Sequence, residues 1–425
     1  MKVFKFGGAS VKNGDAVRNV AHILNLFQHE KLLVVISAMG KTTNALELVV
    51  KALWDRDKTA FEKQISEIEQ YHLAICNDLF SDANHAVYQK LNEQINMLRS
   101  RYRDEVPENF NYEYDQIVSI GEVISTLIVE SFLSHSGFNT TWLDARRLIR
   151  TNNMYRDADI NWKRTEELIQ KMVVPTFEKH TIAITQGFLG HTPELFTTTL
   201  GREGSDFTAG IFAYCLNAAS VTIWKDVPGM LNADPKYFDN TVKLDKISFQ
   251  EAIELSYYGA SVIHPKTLKP LQNKNIPLFV KSFINPEAEG TMIQSSKEFD
   301  HLIPSFIFKH KQTLISFTTR DFSFIVESHL GDIFNRLSQI GAKINLMQNS
   351  ALSFSILVDA EKIEMAIVLK EFQKDYEIRY NENLELVTIR HYDQATIERV
   401  TSGKEIILQQ YARSTARIVL KDKSI

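Results

Sequence analysis

The stretch Thr197-Thr198-Thr199-Leu200-Gly201-Arg202-Glu203-Gly204-Ser205-Asp206 combines hydroxyl groups, glycines, one cation and two anions. It leads directly into a helical pattern that runs from Phe207 to Leu216. Glycines let a backbone approach a ligand closely, and the first turn of a helix offers unpaired N–H groups and the positive end of its dipole. A phosphate or a carboxylate fits such a place, so we interpret the stretch as an anion-binding loop rather than a core segment.

A second loop of the same kind lies near the start of the chain. A predicted strand, Lys2 to Phe6, runs into Gly7-Gly8-Ala9-Ser10, and a predicted helix extends from about Asp15 to about Gln28. Lys5 stands at the end of the strand beside the two glycines, where it is well placed to be the main cation of a phosphate site. The alternative is a lysine at a strand end that contacts only water.

Around these loops, short β-branched runs alternate with helical patterns. This alternation is typical of an α/β domain with a mainly parallel sheet sandwiched by helices, which we place at residues 1–295. A charged, glycine-free stretch with helical spacing between Trp54 and Arg103 predicts a helical insertion at about residues 54–115, interpreted as a lid or a dimer element. The further predicted strands are Leu32–Ser37, Thr140–Leu143, Thr181–Gln186, Val221–Trp224 and Leu278–Lys281.

A different unit begins after Pro304. Its pattern of strand, helix, two strands and helix predicts a small α+β module at residues 305–382. A weaker and shorter echo follows at residues 383–425, as though part of a second copy were missing. The predicted elements of the first module are strand Thr313–Thr319, a helix that ends near Gly341, strands Lys343–Gln348 and Ser353–Asp359, and helix Glu361–Phe372; those of the echo are Leu384–Arg390, Thr396–Gln409 and Thr415–Leu420.

The composition is that of an ordinary globular protein of two or three domains, with 425 residues, 44% apolar, 24% charged and a formal charge of -4. This charge, without a basic stripe, argues against nucleic-acid binding. We find no signal peptide and no apolar run near the roughly 20 residues of a membrane span, so we expect a cytoplasmic protein without a membrane segment. Cys76 and Cys215 lie in apolar helical contexts, which indicates buried thiols and no cysteine-based metal site.

Four blocks stand out along the sequence, namely Lys5-Phe6-Gly7-Gly8-Ala9-Ser10, Thr198 to Asp206, Trp224-Lys225-Asp226-Val227-Pro228-Gly229 through Ala233-Asp234-Pro235-Lys236, and Gly259-Ala260-Ser261-Val262-Ile263-His264-Pro265. In this order, they resemble those of the aspartate kinases. The paired modules after residue 304 likewise look like the ACT domains of that family, and the resemblance covers nearly the whole chain. It implies an amino-acid kinase fold followed by ACT-type (ferredoxin-like) modules, the second one shortened.

The resemblance implies phosphorylation of the β-carboxylate of L-aspartate by ATP, the first step toward lysine, threonine and methionine. A carboxylate with a pKa of about 3.9 is already ionised at neutral pH, so no general base is needed. The protein must instead bring two anions together with cations, N–H groups and Mg²⁺. Mg²⁺ is implied by ATP and not by a protein metal motif. The family also implies a homodimer and an amino-acid effector at the ACT domains.

The family's site residues fall on matching positions of this chain. The implied catalytic residues are Lys5 and Asp206. The implied aspartate-binding residues are Ser37, Thr43, Glu122, Phe188, Arg202 and Ser205. The implied ATP-binding residues are Lys5, Gly7, Gly8, Ser10, Lys225, Asp226, Leu231, Lys236 and Ser261.

Several of these residues also have ordinary structural interpretations. Asp206 opens a helix and could act as an N-terminal cap worth about 1 kcal/mol. Arg202 has the planar fork that binds a carboxylate, and its alternative is a structural ion pair. Glu122 would meet a substrate ammonium group, but glutamates are common at helix starts. Lys236, where an arginine is more usual in the family, could be a surface salt-bridge lysine.

The chain departs from the family at two places. Ser261 stands where a lysine usually reaches the nucleotide phosphates, so Lys225 or Lys266 would have to supply that charge. Asn345 stands where a lysine-binding member presents an acidic residue, in an effector region that we place near Val326–Leu330 and Asn345–Leu352. Inhibition by lysine is therefore in doubt, and the alternative is that the modules serve mainly as a dimer interface.

Two other functions stay open on the sequence. A glutamate or acetylglutamate kinase would share the fold and the phosphate loops, although the ACT pair and Glu122 argue against it. A catalytically silent homologue would bind an amino acid as a sensor or a partner subunit, and Ser261 is the only feature that favours it. Acyl-phosphate formation in the presence of aspartate distinguishes the kinase from the sensor.

Overall fold

The computed structural model describes residues 1–103, 105, 107–260, 263–321 and 323–422. These residues form two compact units. The first comprises the described residues of 1–230, 243–256 and 261–300, and the second comprises those of 231–242, 257–260 and 301–425. Ser261 lies outside the described residues.

The sheet of the first unit is mainly parallel, as the sequence predicts. Its strand order is β3-β4-β2-β1-β7-β9-β10-β8, in which only the pairing of β10 with β9 is antiparallel among the described strands. All predicted strands of this unit are confirmed to within one residue. The strands, including a small β5–β6 ribbon, are β1 Lys2–Phe6, β2 Leu32–Ile36, β3 Thr140–Leu143, β4 Ile182–Gln186, β5 Leu189–His191, β6 Thr197–Thr199, β7 Ser220–Lys225, β8 Lys246–Ser248, β9 Leu278–Ser282 and β10 Thr291–Gln294.

This strand order places the candidate loops at one edge of the sheet. β1 lies between β2 and β7, with Lys5 in register with Val35 and Ile223. Every residue of β2 and β4 is buried, which is typical of parallel strands covered on both faces. Since parallel strands end at the same edge, the segments after β1, β2, β4 and β7 converge there, where α/β proteins bind ligands.

Helices cover both faces of this sheet. The predicted insertion is helical, and residues such as Phe61, Ile65 and Leu91 belong to the same hydrophobic core as Phe4 and Phe6 of β1. The insertion is therefore part of the core of this unit. The helices are α1 Gly14–Asn25, α2 Thr42–Trp54, α3 Lys58–Leu79, α4 Ala86–Arg99, α5 Phe110–His135, α6 Trp162–Met172, α7 Gly204–Leu216, α8 Phe249–Tyr258 and α9 Pro265–Asn273.

One helix corrects the sequence analysis. α5 is long and apolar enough to cross a membrane, although we found no run of that length in the sequence. Its polar residues, among them Asp115, Ser119 and Glu122, interrupt the apolar run, so the run is not apparent in the sequence. Most of its apolar window, 78%, is buried inside the protein, which identifies α5 as a core helix.

The second unit contains an antiparallel sheet with the order β12-β13-β11-β14-β16-β15. Its strands are β11 Ser305–Thr319, β12 Ile344–Asn349, β13 Ser353–Asp359, β14 Tyr376–Arg390, β15 Lys404–Tyr411 and β16 Thr415–Asp422, and its helices are α10 Glu327–Gln339, α11 Met365–Phe372 and α12 Gln394–Thr401. The predicted helix Glu361–Phe372 is shorter than expected, because a 3-10 turn, Ala360–Lys362, precedes α11. The segment Thr396–Gln409 divides between α12 and β15.

The two long strands run through both parts of this sheet. The first residues of β11, Ser305–Lys309, pair with the end of β14, and the later residues pair with both β13 and the start of β14. The pairing is irregular between Lys309 and Leu314. The module boundary that we predict between residues 382 and 383 falls inside β14.

The Asn345 side chain is hydrogen-bonded to other residues of this unit. Its side chain accepts a hydrogen bond from Lys309 Nζ at 2.8 Å and donates to Gln312 Oε1 at 2.7 Å and to Asp359 Oδ1 at 2.9 Å. The residue is 9% exposed. Both N–H groups of its amide, and the amide oxygen, therefore already have partners within the unit.

Candidate functional site

Two lysines and one aspartate form the centre of the site. Lys5 Nζ lies 2.6 Å from Asp206 Oδ1, and Lys225 Nζ lies 3.5 Å from Asp206 Oδ2. Lys5 is the penultimate residue of β1, Lys225 is the last residue of β7, and Asp206 lies in the first turn of α7. The sheet edge and the anion-binding loop therefore meet at this carboxylate.

Asp206 stays ionised in this environment. Its burial alone would raise the pKa, but the Lys5 and Lys225 ammonium groups outweigh burial and hold the pKa below its usual value. The alternative that Asp206 caps the helix is wrong, because α7 begins at Gly204 and its N-cap is Glu203. Asp206 instead forms ion pairs with both lysines.

Glycines let the loops of the site pack closely. A Cβ on Gly8 would lie 2.7 Å from Ala38 O and 2.8 Å from Gly40 O, so only glycine fits between the loops after β1 and β2. A Cβ on Gly187 would lie 2.4 Å from Ser205 Cβ. The segment after β4 and the first turn of α7 therefore touch through backbone.

Two residues of the site hold backbone angles that favour glycine. Phe188 has φ 70° and Glu203 has φ 55°, in the left-handed region. The Phe188 N–H donates to Thr208 Oγ1 at 2.9 Å, and the Phe188 carbonyl accepts from Leu200 N–H at 2.9 Å. These bonds fix the strained turn at the pocket wall, as is common at binding sites.

An open pocket of about 490 Å³ lies over this centre. It brings together nine residues predicted from the sequence, namely Lys5, Ser37, Thr43, Glu122, Phe188, Arg202, Ser205, Asp206 and Lys225. Its other lining residues are Tyr114, Arg156, Gly201, Glu203 and Gly204. The volume suits a small polar molecule together with part of a second one.

Glu122 is a buried acid at the floor of this pocket. It is 3% exposed, its Oε1 accepts a hydrogen bond from the Ala38 N–H at 3.4 Å, and its Oε2 is buried without a partner among the described residues. Burial raises the pKa of Glu122 to about 8, and the backbone hydrogen bonds only partly oppose this. A cationic group that enters the pocket would supply the missing partner and favour the ionised form.

The pocket contains a second arginine that the sequence analysis missed. Arg202 and Arg156 are both exposed and both line it, so two arginines border one space. The Arg156 guanidinium lies over the Tyr114 ring, 4.5 Å from its centroid. Arg156 has φ 72° and follows no motif, so nothing in the sequence marks it.

The sequence analysis also missed Asp115, which stabilises the part of the pocket wall that contains Arg156. This fully buried carboxylate accepts hydrogen bonds from the Thr199 N–H at 2.8 Å, from Thr199 Oγ1 at 2.7 Å and from the Arg156 N–H at 3.0 Å. Burial raises the pKa of Asp115 to about 6, and these hydrogen bonds oppose the shift. Asp115 thus joins α5, β6 and the Arg156 segment; its spacing of seven residues from Glu122, two turns on one helix, is the signal that was available.

The predicted nucleotide residues are more dispersed. Gly7 lies at the centre, since a Cβ there would be 3.3 Å from Lys5 Nζ, and Ser10 is buried in the 3-10 turn Gly8–Val11. Asp226 follows β7 and is exposed. Leu231 and Lys236 belong to the second unit, where Lys236 is exposed and its N–H donates to Asp234 Oδ1 at 2.9 Å.

Lys266 does not line the pocket. Its ammonium forms an ion pair with Asp157. Of the two lysines considered as replacements for the usual lysine at position 261, Lys225 is the one at the site. The described residues contain no group of three or more His, Cys, Asp or Glu side chains arranged to hold a metal ion.

Comparisons with known proteins find matches over most of this chain. A model of the amino acid kinase family matches residues 1–282. Lysine-sensitive aspartokinase 3 of Escherichia coli (strain K12) is 32% identical over 358 residues, which cover 84% of this chain and 78% of that protein.

Solved structures extend the similarity to nearly the whole chain. A crystal structure of E. coli aspartokinase III in complex with aspartate and ADP (R-state) has a TM-score of 0.78 and 27% identity, and covers 99% of this chain and 96% of that one. The complex of the same enzyme with lysine and aspartate (T-state) has a TM-score of 0.82 and 26% identity, and covers 99% and 95%. The fold class expected from the sequence is thereby confirmed.

Proposed function

The chain belongs to the amino acid kinase family and is one of its aspartate kinases, and on that premise we propose that its pocket phosphorylates the β-carboxylate of L-aspartate with ATP to give 4-phospho-L-aspartate. The observation that carries this proposal is the buried Asp206 carboxylate between Lys5 and Lys225 at the edge of the pocket. This arrangement fixes two ammonium groups where the phosphates of ATP and the carboxylate of aspartate must meet.

Aspartate binds, in this proposal, through groups of opposite charge that line the pocket. Arg202 takes a substrate carboxylate with its planar fork. Glu122 takes the ammonium group, which supplies the partner that its buried Oε2 lacks. Ser37, Thr43, Phe188 and Ser205 line the space between these charges and orient the β-carboxylate.

The chain's own residues then act by position and charge. Lys5 bridges the nucleotide phosphates and the transferring group, so that the negative charge of the two reactants does not keep them apart. Asp206 is a positioning residue, because its ion pair with Lys5 holds the lysine side chain in place. The β-carboxylate attacks in its ionised form, the bond to the leaving ADP breaks, and no proton needs to be removed.

ATP fits this edge because the described pocket carries the cations Lys5, Lys225, Arg156 and Arg202 and because Gly8 brings two loops into backbone contact. We assign the phosphates to Gly7, Gly8, Ser10 and Lys225, with Lys225 in place of the lysine that Ser261 replaces. Asp226, Leu231 and Lys236 are assigned to the nucleoside.

Mg²⁺, bound through the ATP phosphates, would neutralise charge on the transferring group. Two of the three acids that line the described pocket, Asp206 and Glu122, fit this arrangement. Asp206 is neutralised by two lysines and Glu122 receives a backbone N–H, so neither is organised as a metal ligand. The ion is therefore expected to arrive with the nucleotide.

We further propose a domain division into residues 1–295, 305–382 and 383–425, a homodimer, a cytoplasmic location, no nucleic-acid or membrane partner, and a role at the start of lysine, threonine and methionine synthesis. An amino-acid effector is expected at the ACT-type modules. The engaged amide of Asn345 argues that this effector is not lysine, which the T-state E. coli structure contains.

The test is ATP turnover by the purified protein with Mg²⁺ and hydroxylamine, comparing L-aspartate, L-glutamate and no acceptor. Hydroxamate formation that depends on aspartate supports the proposal. Hydroxamate with glutamate alone would indicate another amino-acid kinase. Aspartate binding without turnover would indicate the silent sensor, and Ser261→Lys would then be the variant to measure.

A further inference from the structure

Two consecutive residues of α5 hold Arg156, the pocket arginine that the sequence analysis missed. Asp115 Oδ2 accepts a hydrogen bond from the Arg156 N–H at 3.0 Å, and the Arg156 guanidinium lies over the Tyr114 ring, 4.5 Å from its centroid. The Tyr114 hydroxyl in turn donates to Glu47 Oε1 on α2 at 2.7 Å. Both the backbone and the side chain of Arg156 are therefore anchored to one turn of a core helix.

The backbone of Arg156 adopts a conformation that is costly for a residue with a side chain. Its φ of 72° lies in the left-handed region, which glycine adopts without strain. Such conformations persist where the surrounding structure enforces them, and they are frequent at binding sites. An arginine that only packed on a surface ring would not require this angle, so the strain indicates that the placement of the side chain has a function.

The backbone at Arg156 lies against the anion-binding loop. A Cβ on Gly201 would lie 2.4 Å from Asp157 Oδ1 and 3.4 Å from the Arg156 carbonyl oxygen, so the absence of a side chain at Gly201 permits this approach. Gly201 immediately precedes Arg202, and both arginines line the same pocket. Arg156 therefore lies beside the loop to which we assign the binding of a substrate carboxylate.

The donors of the Arg156 guanidinium remain for a ligand. The neighbouring carboxylate, Asp157, forms an ion pair with Lys266, and no carboxylate among the described residues pairs with Arg156. The contact with the Tyr114 ring engages the charge but not the five N–H groups of the guanidinium. Their planar fork matches the oxygens of a carboxylate or a phosphate.

On the basis of the proposed function, we propose that Arg156 is a substrate-binding residue whose guanidinium binds an oxyanion of the reacting pair, either a carboxylate of aspartate or a phosphate of ATP. Tyr114 and Asp115 are its positioning residues, since one contacts the guanidinium and the other the backbone N–H. Arg156 thus adds a second oxyanion contact to the one that we assign to Arg202.

Calorimetric titration of the full-length protein measures this contact without turnover. The probes are L-aspartate, MgADP, and the β,γ-imido analogue of ATP with Mg²⁺, which carries the additional terminal phosphate. Arg156→Gln should raise the Kd of the bound partner at least about tenfold, since a charge-assisted contact is lost. A rise for aspartate alone assigns Arg156 to a carboxylate, and a rise for one or both nucleotides alone assigns it to a phosphate.

Further variants separate binding from a structural role. Arg156→Gly removes the guanidinium and relaxes the backbone, so it should raise the same Kd without lowering the midpoint of urea unfolding. Tyr114→Leu should weaken the same ligand several-fold, whereas Tyr114→Phe keeps the ring under the guanidinium and should retain most of the affinity. Arg164→Gln changes an exposed arginine of the same unit, paired with Glu167, and should leave every Kd unchanged.

The proposal is overturned if all three Kd values of Arg156→Gln stay within twofold of the wild type, or if all three rise equally, which would indicate a general loss of charge or structure. It is also overturned if Arg156→Gly weakens binding only together with a lower urea midpoint, or if Arg164→Gln has the same effect as Arg156→Gln. A wild-type protein that binds none of the three probes would contradict the proposed function as well.

Discussion

Lys5 Nζ lies 2.6 Å from Asp206 Oδ1, and the two side chains are only 10% and 3% exposed. This ion pair joins the end of β1 to the first turn of α7. It fixes the lysine before any substrate arrives, so little reorganisation is needed during phosphoryl transfer. Lys225 adds a second positive charge to the other oxygen of the same carboxylate.

Asp206→Asn should lower kcat at least about 100-fold, because the amide keeps the shape but loses the charge that holds two lysines together. The KM for aspartate should change less than kcat, since Asp206 does not bind that substrate in our account. Steady-state kinetics of the variant measure both values. Asp245→Asn, an exposed carboxylate paired with Lys243, is the control and should keep full activity. A kcat for Asp206→Asn within tenfold of the wild type would contradict the role of the pair.

Lys225→Ala should raise the KM for ATP at least about tenfold through loss of a phosphate contact. Lys266→Ala is the matched control, because its ammonium pairs with Asp157 and does not line the pocket. Initial rates over a range of ATP concentrations give the comparison. An unchanged KM in Lys225→Ala, or an equal rise in Lys266→Ala, would remove Lys225 from the nucleotide site.

The KM for aspartate should fall as pH rises from 6 to 8, by at most about tenfold per pH unit. Free Glu122 has a pKa of about 8, so the ammonium group binds only after this acid loses its proton. Glu122→Gln should have a high KM that no longer varies over this range. Rates measured at fixed saturating ATP test this, and a flat profile in the wild type would refute it.

The raised pKa of Glu122 also predicts how the stability of the protein depends on pH. The folded pKa of Glu122 is raised from 4.5 to about 8, so the folded state holds this proton more tightly than the unfolded chain does. The favourable contribution is complete below about pH 4.5 and is lost as pH rises to about 8. In urea unfolding, Glu122→Gln should therefore gain stability relative to the wild type as pH increases from 5 to 8. An equal difference at both pH values would speak against a buried, protonated Glu122.

Asp115→Ala should destabilise the first unit by about 2–3 kcal/mol and raise the KM for aspartate, because the Thr199 and Arg156 N–H groups lose their acceptor. Thr199→Val removes only the hydroxyl bond and should cost about 1 kcal/mol, while Thr199→Ser should restore it. Urea unfolding and aspartate kinetics measure these effects. Stability and KM unaffected by Asp115→Ala would mean that the carboxylate does not organise the wall.

The sequence predicted those parts of the site that lie in contiguous, glycine-flanked motifs, such as Lys5 beside Gly7 and the loop that ends at Asp206. It could not predict Arg156 or Asp115, because an irregular segment and a helix face come together only through tertiary packing. It also left Lys225 and Lys266 as equal candidates. Lys225 lies at the end of β7, which places it at the pocket, whereas Lys266 forms an ion pair with Asp157. No local sequence pattern encodes that difference.

The most direct test of the central claim follows one oxygen atom. L-Aspartate labelled with ¹⁸O in its β-carboxylate is incubated with the protein, ATP, Mg²⁺ and hydroxylamine, and the released phosphate is analysed by mass spectrometry. If the β-carboxylate attacks ATP, hydroxylamine cleaves the acyl phosphate at carbon, and the phosphate retains one labelled oxygen alongside aspartyl hydroxamate. Unlabelled phosphate without hydroxamate would mean that water, and not aspartate, receives the phosphoryl group.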